Sequence, residues 1–234
     1  MSAKAVREYD GKRIIFAGID TLNNGRVAQV HVEDLEKLEA TLNSLATNNT
    51  WLTNTRLAVK PDQLIKRRGK AGMVCLDVDW AGACQWIRKM ASQDQVTIGQ
   101  VTGKLDTFII EPFIPHSNES EHYLCIRNVR DGDEILVCEE GGVDVGDVDS
   151  KAWRILVPVD TIADPAIIAS CLKFKDEGKS QHLAEFISNL HRVYVKNHFT
   201  YLEVNPLVVE SKHVHILDLA AKIDETARFE AESE

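Results

Sequence analysis

A dense group of cations is the first feature of the sequence with a chemical implication. Four cationic residues fall within five positions and two glycines accompany them: Lys66, Arg67, Arg68 and Lys70, with Gly69 and Gly72. Glycine lets backbone N–H groups approach an anion, and lysine and arginine add charge-assisted hydrogen bonds. The spacing of a Walker A loop is absent. The stretch therefore predicts either a loop that closes over phosphate groups or a solvated basic loop, and composition favours neither.

Lys60 stands apart from this loop because it ends a short run of strand-forming residues, 56–59. Pro61 restricts the residue before it to extended geometry, which predicts a strand that enters a turn. A lysine in this position either points into a cleft or caps the end of the strand.

Three side chains whose oxygen atoms could bind a metal ion lie in the last two predicted strands: Glu203, Asn205 and Asp218. Glu203 and Asn205 are two residues apart and so share one face of a strand. A two-residue turn at 211–212 sets Asn205 opposite Asp218, whereas a turn shifted by one residue sets Glu203 there instead. Either register suits one Mg²⁺, which takes few protein ligands when it also binds phosphate oxygens. A polar face on an edge hairpin is the alternative, and Pro206 is expected to disturb the ladder.

Three further segments give weaker signals. Residues 111–115, Glu-Pro-Phe-Ile-Pro, form a stiff stretch that is either an edge for an adenine ring or a plain strand exit. Residues 139–149 carry three glycines and three aspartates without EF-hand spacing, which predicts a calcium loop or a flexible acidic loop. His213 and His215 share a strand face, but without a third ligand an exposed pair is favoured over a metal site.

The elements that must position these residues are interleaved helices and strands. The spacing of apolar residues predicts helices at residues 31–49, 80–90 and 183–197. Pro165 after Asp164 marks the start of another helix. Two alternating runs around residues 130–133 predict a β-hairpin, and the last two β runs predict a second one. Frequent hairpins indicate an α+β protein with antiparallel sheets.

Composition narrows the classes of function. The chain has 234 residues, 44% hydrophobic and 27% charged, enough for one large domain or two lobes. A net charge of −9 argues against a nucleic-acid partner, because proteins bind phosphate backbones through an excess of Lys and Arg. No apolar run has membrane-spanning length, and the N-terminus resembles no signal peptide. Five scattered cysteines fit reduced thiols, so we expect a cytoplasmic protein with neither a membrane nor a nucleic-acid partner.

Four strings, in order, resemble the N-terminal part of the ATP-citrate lyase (ATP-citrate synthase) family: VKPDQLIKRRGKAG, FIIEPFIPHS, EEGGVDVGDVDSKA, and FTYLEVNPLVV followed by LDLAAKID. The resemblance covers about residues 60–224. The succinyl-CoA synthetase β subunit is a more distant relative, through the Asn-Pro-Leu and Asp-x-x-Ala-Lys pieces. The resemblance implies an ATP-grasp fold, in which two α+β lobes with antiparallel sheets hold ATP. The first fifty residues fit the family poorly.

The resemblance also implies roles for single residues of this sequence in binding the nucleotide. Lys60 would contact phosphate oxygens, and Arg68 and Gly69 would lie in the loop over the phosphates. Backbone groups of Pro112 and Ile114 would contact the adenine edge.

Three more residues complete the implied Mg-ATP site. Glu121 would hold the ribose hydroxyls, and Asn205 and Asp218 would be the Mg²⁺ ligands. The resemblance implies that a phosphoryl group passes from ATP to a histidine and then to citrate. CoA then displaces it, and cleavage of the product gives acetyl-CoA and oxaloacetate for lipid biosynthesis. We expect the phosphohistidine and the citrate and CoA sites beyond the end of this chain, so no catalytic residue is assigned within it.

We predict three segments: a mixed N-terminal segment at residues 1–50, a first ATP-grasp lobe at 51–112 and a second at 113–234. Two other interpretations stay open. One is a non-catalytic short isoform or interaction module that associates with a full-length homo-oligomer. The other is a subunit of a succinyl-CoA synthetase-like acid–CoA ligase. The isolated chain is expected to be incomplete for the full reaction.

Overall fold

A computed structural model of the chain describes residues 3–22, 25–64, 68–69, 71–98, 101–142, 148–172, 177–210, 213–227 and 229. The chain divides into two compact units, which we call the large unit (Met1–Asn24 with His116–Glu234) and the small unit (Gly25–Pro115). The first fifty residues, which we predicted as one segment, are therefore shared between the two units.

Helices are interleaved with single strands and with runs of two or more strands along the chain. The strands are β1 (Ala3–Val6), β2 (Ala28–His31), β3 (Leu57–Pro61), β4 (Cys75–Val78), β5 (Val96–Ile98), β6 (Val101–Gly103), β7 (Thr107–Pro112), β8 (Glu121–Val129), β9 (Gly132–Cys138), β10 (Trp153–Pro158), β11 (Phe199–Val209), β12 (Val214–Ile216) and β13 (Leu219–Asp224). The helices are α1 (Glu8–Gly18), α2 (Leu38–Asn48), α3 (Trp80–Ala91), α4 (Val148–Lys151), α5 (Pro165–Cys171) and α6 (Glu177–Lys196).

The large unit is built on one antiparallel sheet in the order β1-β13-β11-β8-β9-β10, with β12 also paired to β11. One face of the sheet packs against α1, α5 and α6, and side chains from all three helices join its main apolar core. On α6 the buried residues follow helical spacing, at Leu183, Ile187, Leu190 and Tyr194. A smaller cluster around Tyr123 and Cys125 covers part of the other face, which also carries polar residues.

The small unit has its own sheet, in the order β2-β7-β3-β4, and a separate β5-β6 hairpin. Its core is formed by the sheet together with α2 and α3, through residues such as Leu42, Ile87 and Phe108. Asp79 caps the start of α3 by accepting a hydrogen bond from the backbone N–H of Gly82 at 2.8 Å. Each unit therefore has an independent apolar core.

The predicted α+β class with antiparallel sheets is confirmed, because every strand pairing among the described residues is antiparallel. The helix start at Pro165 is also confirmed: the Asp164 side chain accepts from Ala166 N at 2.8 Å. The start predicted for the helix at residues 31–49 is wrong, because His31 ends strand β2 and the helix begins only at Leu38.

Two other expectations concern the thiols and the membrane. All five cysteines are free, as their scattered positions predicted. Within the part of the chain that the structure describes, no helix is both long enough and apolar enough to cross a bilayer.

A chain of hydrogen bonds that starts at a buried histidine links α6 to the β8-β9 hairpin. The His191 side chain is fully buried; its Nε2 donates to Asp133 Oδ2 at 2.9 Å, and its Nδ1 accepts from Ala163 N at 3.2 Å. Asp133 also accepts from Asn128 Nδ2 at 2.7 Å, and the Tyr194 hydroxyl donates to Asn128 Oδ1 at 3.0 Å. Burial raises the pKa of Tyr194, which keeps that hydroxyl protonated. A neutral imidazole thus satisfies both of its partners.

We predict that His191→Ala lowers the free energy of unfolding by about 2–4 kcal/mol, because it leaves a cavity and removes partners from Asp133 and Ala163. Urea denaturation followed by circular dichroism measures the change. His182→Ala is the matched control, since His182 lies on the same helix and is partly exposed. A loss for His191→Ala no larger than that of the control would contradict the prediction.

Candidate functional site

The hairpin register places Asn205 opposite Asp218 in the large unit. The ladder pairs Val204 with Leu219 on one side and Leu207 with Ile216 on the other. Between them, Asn205 N donates to the Asp218 carbonyl oxygen at 3.2 Å. The first of the two registers considered from the sequence is therefore confirmed, and the register that set Glu203 opposite Asp218 is wrong. The turn residues 211–212 lie outside the described residues.

The ladder is interrupted at the same place, as Pro206 predicted. β12 ends at Ile216 and β13 begins at Leu219, and the Asn205–Pro206 peptide bond is cis. Leu217 N still donates to the Pro206 carbonyl oxygen at 3.1 Å. Asn205 and Asp218 are both half-buried. Residues directly opposite across an antiparallel ladder have side chains close enough to act together.

Glu121 and a glycine pair lie beside Asn205. The Asn205 side-chain oxygen Oδ1 accepts a hydrogen bond from Gly142 N at 2.7 Å. Gly142 has a φ of +95°, and a Cβ built on it would lie 1.9 Å from Glu121 Oε2. A Cβ on Gly141 would lie 2.4 Å from the backbone of His122. Only glycine lets this segment lie so close to the start of β8.

The sequence interpretation did not assign Gly141 and Gly142 to the site. It read them as part of a calcium or flexible acidic loop, whose residues 143–147 lie outside the described residues. The adjacent glycines themselves were the signal, because two in succession indicate a close approach of backbone to other groups.

One histidine contacts the Glu121 carboxylate, and a second histidine follows Glu121 in the sequence. His116 Nε2 lies 2.9 Å from Glu121 Oε1, with both side chains largely buried. Next to Glu121, the His122 ring donates through Nδ1 to the Glu139 carbonyl oxygen at 2.9 Å. Burial lowers the pKa of His122, so its ring is neutral near pH 7. These contacts fix the first residues of β8 and with them the position of Glu121.

In the small unit, Lys60 and Glu111 form a buried ion pair with Nζ and Oε1 2.7 Å apart. Lys60 lies on β3 and Glu111 lies on the neighbouring strand β7. Glu111 is paired with Ala58, two residues before Lys60. The two charged side chains are therefore diagonal neighbours on one face of the sheet. The pair neutralises both charges away from solvent. The sequence placed Glu111 in the stiff 111–115 stretch but gave no sign of a contact with Lys60, because only the pairing of β3 with β7 brings the two together.

The described part of the basic loop folds back onto the end of β3. The Arg68 guanidinium is buried and donates from Nη1 to the Pro61 carbonyl oxygen at 2.7 Å. Gly69 is exposed, and its carbonyl oxygen accepts from Gly72 N at 3.0 Å. The other cations of the loop, Lys66, Arg67 and Lys70, lie outside the described residues. A plain solvated loop does not account for the buried Arg68.

The stiff segment after β7 is attached to the same sheet. Pro112 ends β7 opposite Leu57, and Phe113 N donates to the Arg56 carbonyl oxygen at 2.8 Å. Pro112 and Ile114 are half-buried. The small unit therefore holds Lys60, Arg68, Gly69, Pro112 and Ile114, whereas the large unit holds Glu121, Asn205 and Asp218.

The donor set at Asn205 and Asp218 fits Mg²⁺ and does not fit zinc. One carboxylate and one amide oxygen are typical of a magnesium ion that takes its other ligands from phosphate and water. Across the described residues, no group of three or more His, Cys, Asp or Glu side chains is arranged to hold a metal ion. In particular, His213 and His215 have ring centres 6.1 Å apart, and His215 Nε2 lies 3.7 Å from Glu210.

Comparison with known proteins addresses the resemblance seen in the sequence. The sequence model of the ATP-citrate synthase ATP-grasp domain matches residues 2–234. The chain is 44% identical to the ATP-citrate synthase of Bos taurus over 234 residues, which are 98% of this chain and 21% of the bovine protein. The match includes the first fifty residues, which had seemed to fit the family poorly.

Solved structures agree with the sequence match. The structure of ATP citrate lyase from Methanothrix soehngenii, in complex with citrate and coenzyme A, superposes with a TM-score of 0.83 at 33% identity. It covers 97% of this chain, which spans only 52% of that protein. A dinucleotide-forming acetyl-coenzyme A synthetase of Ca. Korarchaeum cryptofilum, with a TM-score of 0.61 at 12% identity, shares the fold alone. The predicted ATP-grasp fold is confirmed, and the chain belongs to the ATP-citrate synthase ATP-grasp domain family.

Proposed function

We propose that this chain is the Mg-ATP-binding part of an ATP-citrate synthase, which forms acetyl-CoA and oxaloacetate from citrate, CoA and ATP. The observation that best supports the proposal is the pairing of Asn205 with Asp218, with Gly142 and Glu121 beside it. The chain spans about half the length of the lyase whose structure it resembles. Binding of citrate and CoA, and phosphorylation of a histidine, are therefore assigned to the rest of the protein.

The large unit is proposed to bind the metal and the ribose. Asn205 Oδ1 and the Asp218 carboxylate hold Mg²⁺, which when bound neutralises charge on the phosphate oxygens. Glu121 accepts hydrogen bonds from the ribose hydroxyls, and its contact with His116 fixes one carboxylate oxygen in place. The backbone N–H of Gly142 keeps the Asn205 amide in one orientation.

The small unit is proposed to bind the phosphates and the adenine. Glu111 holds the Lys60 ammonium at a fixed point on β3, so that little reorganisation is needed when it contacts a phosphate oxygen. Arg68 is fixed in turn by the Pro61 carbonyl, and Gly69 presents exposed backbone next to it. Backbone groups of Pro112 and Ile114 contact the edge of the adenine ring.

These roles supply orientation and charge neutralisation, and no side chain of the chain forms a covalent bond to the substrate. Phosphoryl transfer relies mainly on such positioning and electrostatic stabilisation. The chain alone is accordingly proposed to bind nucleotide without cleaving citrate. The sites assigned to the rest of the protein complete the activity.

We predict that Asp218→Asn weakens binding of Mg-ATP at least about tenfold, because Mg²⁺ loses its charged protein ligand, and leaves ATP binding in EDTA little changed. Isothermal titration with and without Mg²⁺ measures both affinities. Asp160→Asn is the control, since Asp160 is an exposed turn residue of the same unit. Equal affinities of wild type and Asp218→Asn for Mg-ATP would contradict the metal assignment.

We also predict that Gly142→Ala weakens nucleotide binding about tenfold or more, both with and without Mg²⁺. The new Cβ would collide with Glu121 Oε2 at 1.9 Å, and the φ of +95° disfavours alanine. The same titration provides the readout. Gly103→Ala is the matched control, because a Cβ on Gly103 meets no atom within 4 Å. Wild-type affinity in Gly142→Ala would remove Glu121 and Gly142 from the nucleotide site.

A further inference from the structure

A buried ion pair on α1 has no role in the nucleotide contacts proposed above. Lys12 Nζ lies 2.8 Å from Glu8 Oε1, one helical turn away, with the two side chains 0% and 2% exposed. Removing two charges from water is costly, and a buried pair of this kind is seldom the most stable solution for a core. Stability alone is therefore a weak explanation for the pair.

Lys12 also reaches the backbone at the interruption between β12 and β13. Its Nζ donates to the Leu217 carbonyl oxygen at 3.1 Å. Leu217 directly precedes Asp218, and its own N–H donates to Pro206 O at 3.1 Å. The backbone carbonyl oxygen of Asp218 in turn accepts a hydrogen bond from Asn205 N at 3.2 Å. The regular ladder is interrupted here, so these hydrogen bonds hold residues 217–218 in place where strand pairing does not.

The helix that carries Lys12 is packed closely against β13. A Cβ on Gly11 would lie 2.7 Å from Leu219 Cδ2, so the absence of a side chain at Gly11 permits the observed approach. Ile15 and Ile19, further along the same segment, belong to the main core of the large unit. The backbone position of Lys12 relative to residues 217–219 is therefore set by packing as well as by its hydrogen bond.

We propose that Lys12, held in place by Glu8, is a positioning residue for the metal site: it fixes the Leu217 carbonyl and thereby the orientation of Asp218. The proposal rests on the function proposed above, in which Asn205 and Asp218 bind Mg²⁺. Groups that orient a metal ligand commonly alter metal affinity 10- to 100-fold, roughly, when they are removed.

The test uses the full chain with Lys12→Met and Glu8→Leu combined. Replacing both charges by apolar residues of similar volume is often neutral for stability, whereas removing one charge alone leaves the other buried and unpaired. Lys4→Met is the matched control, because it breaks an exposed ion pair with Glu225, 3.5 Å, in the same N-terminal segment. Should the double variant fail to fold, Lys12→Gln with Glu8→Gln is the alternative. It keeps a polar pair, but the glutamine side chain is one bond shorter than lysine, so its N–H donor does not reach the Leu217 carbonyl.

Two readouts separate a positioning role from a structural one. The first is amide hydrogen exchange at Asn205 and Leu217, which we expect to be about tenfold faster in the double variant. The second is the ratio of ATP affinities with and without Mg²⁺, which we expect to fall about tenfold while metal-free ATP binding is unchanged. Both quantities stay at wild-type values in Lys4→Met.

The outcomes distinguish this proposal from the one on which it rests. If a folded double variant keeps the wild-type exchange rates and the wild-type effect of Mg²⁺, the ion pair is structural only and this proposal fails alone. If the wild-type chain binds ATP with no dependence on Mg²⁺, the proposed function fails and this proposal fails with it.

Discussion

The pairing of Asn205 with Asp218 across the last hairpin is the constraint on which the rest of the large unit's site depends. The two residues lie opposite each other because β11 keeps one register with β12 and β13 on both sides of the interruption. A shift by one residue would turn every side chain of the strand to the other face. The apolar residues of β11 that pack on the helices, Leu202 and Val204, hold the register that presents the polar ones.

The two units hold the residues proposed to bind the nucleotide by different kinds of contact. In the small unit, Lys60 is fixed by a buried carboxylate on the neighbouring strand, and Arg68 by a backbone carbonyl. In the large unit, Gly142 N–H donates to the Asn205 side chain, and the buried Lys12 donates to the Leu217 carbonyl next to Asp218. In both, a group proposed to meet the nucleotide has a partner in place beforehand, which limits the reorganisation that binding requires.

Much of this arrangement follows from the sequence, and the rest depends on contacts between distant residues. Counting back from the turn left two registers, and the structure has the first of them. The start of α5 followed from the Asp-Pro pair, because it depends on neighbouring residues. The bonds from Gly142 to Asn205 and from Lys12 to Leu217 join positions 63 and 205 apart, so no local pattern indicates them. The Lys60 to Glu111 pair likewise requires knowing that β3 lies beside β7. The resemblance to a family named the residues proposed as ligands, but it gave no information on the contacts that hold them in place.

A crystal structure of the chain with Mg²⁺ and a non-hydrolysable ATP analogue shows whether the metal binds at the last hairpin. We expect a metal ion about 2.1 Å from an Asp218 carboxylate oxygen and from Asn205 Oδ1, with its other ligands from phosphate and water. We also expect Lys12 to contact the Leu217 carbonyl in the complex. A bound nucleotide whose Mg²⁺ touches neither Asn205 nor Asp218 would contradict the proposed metal site.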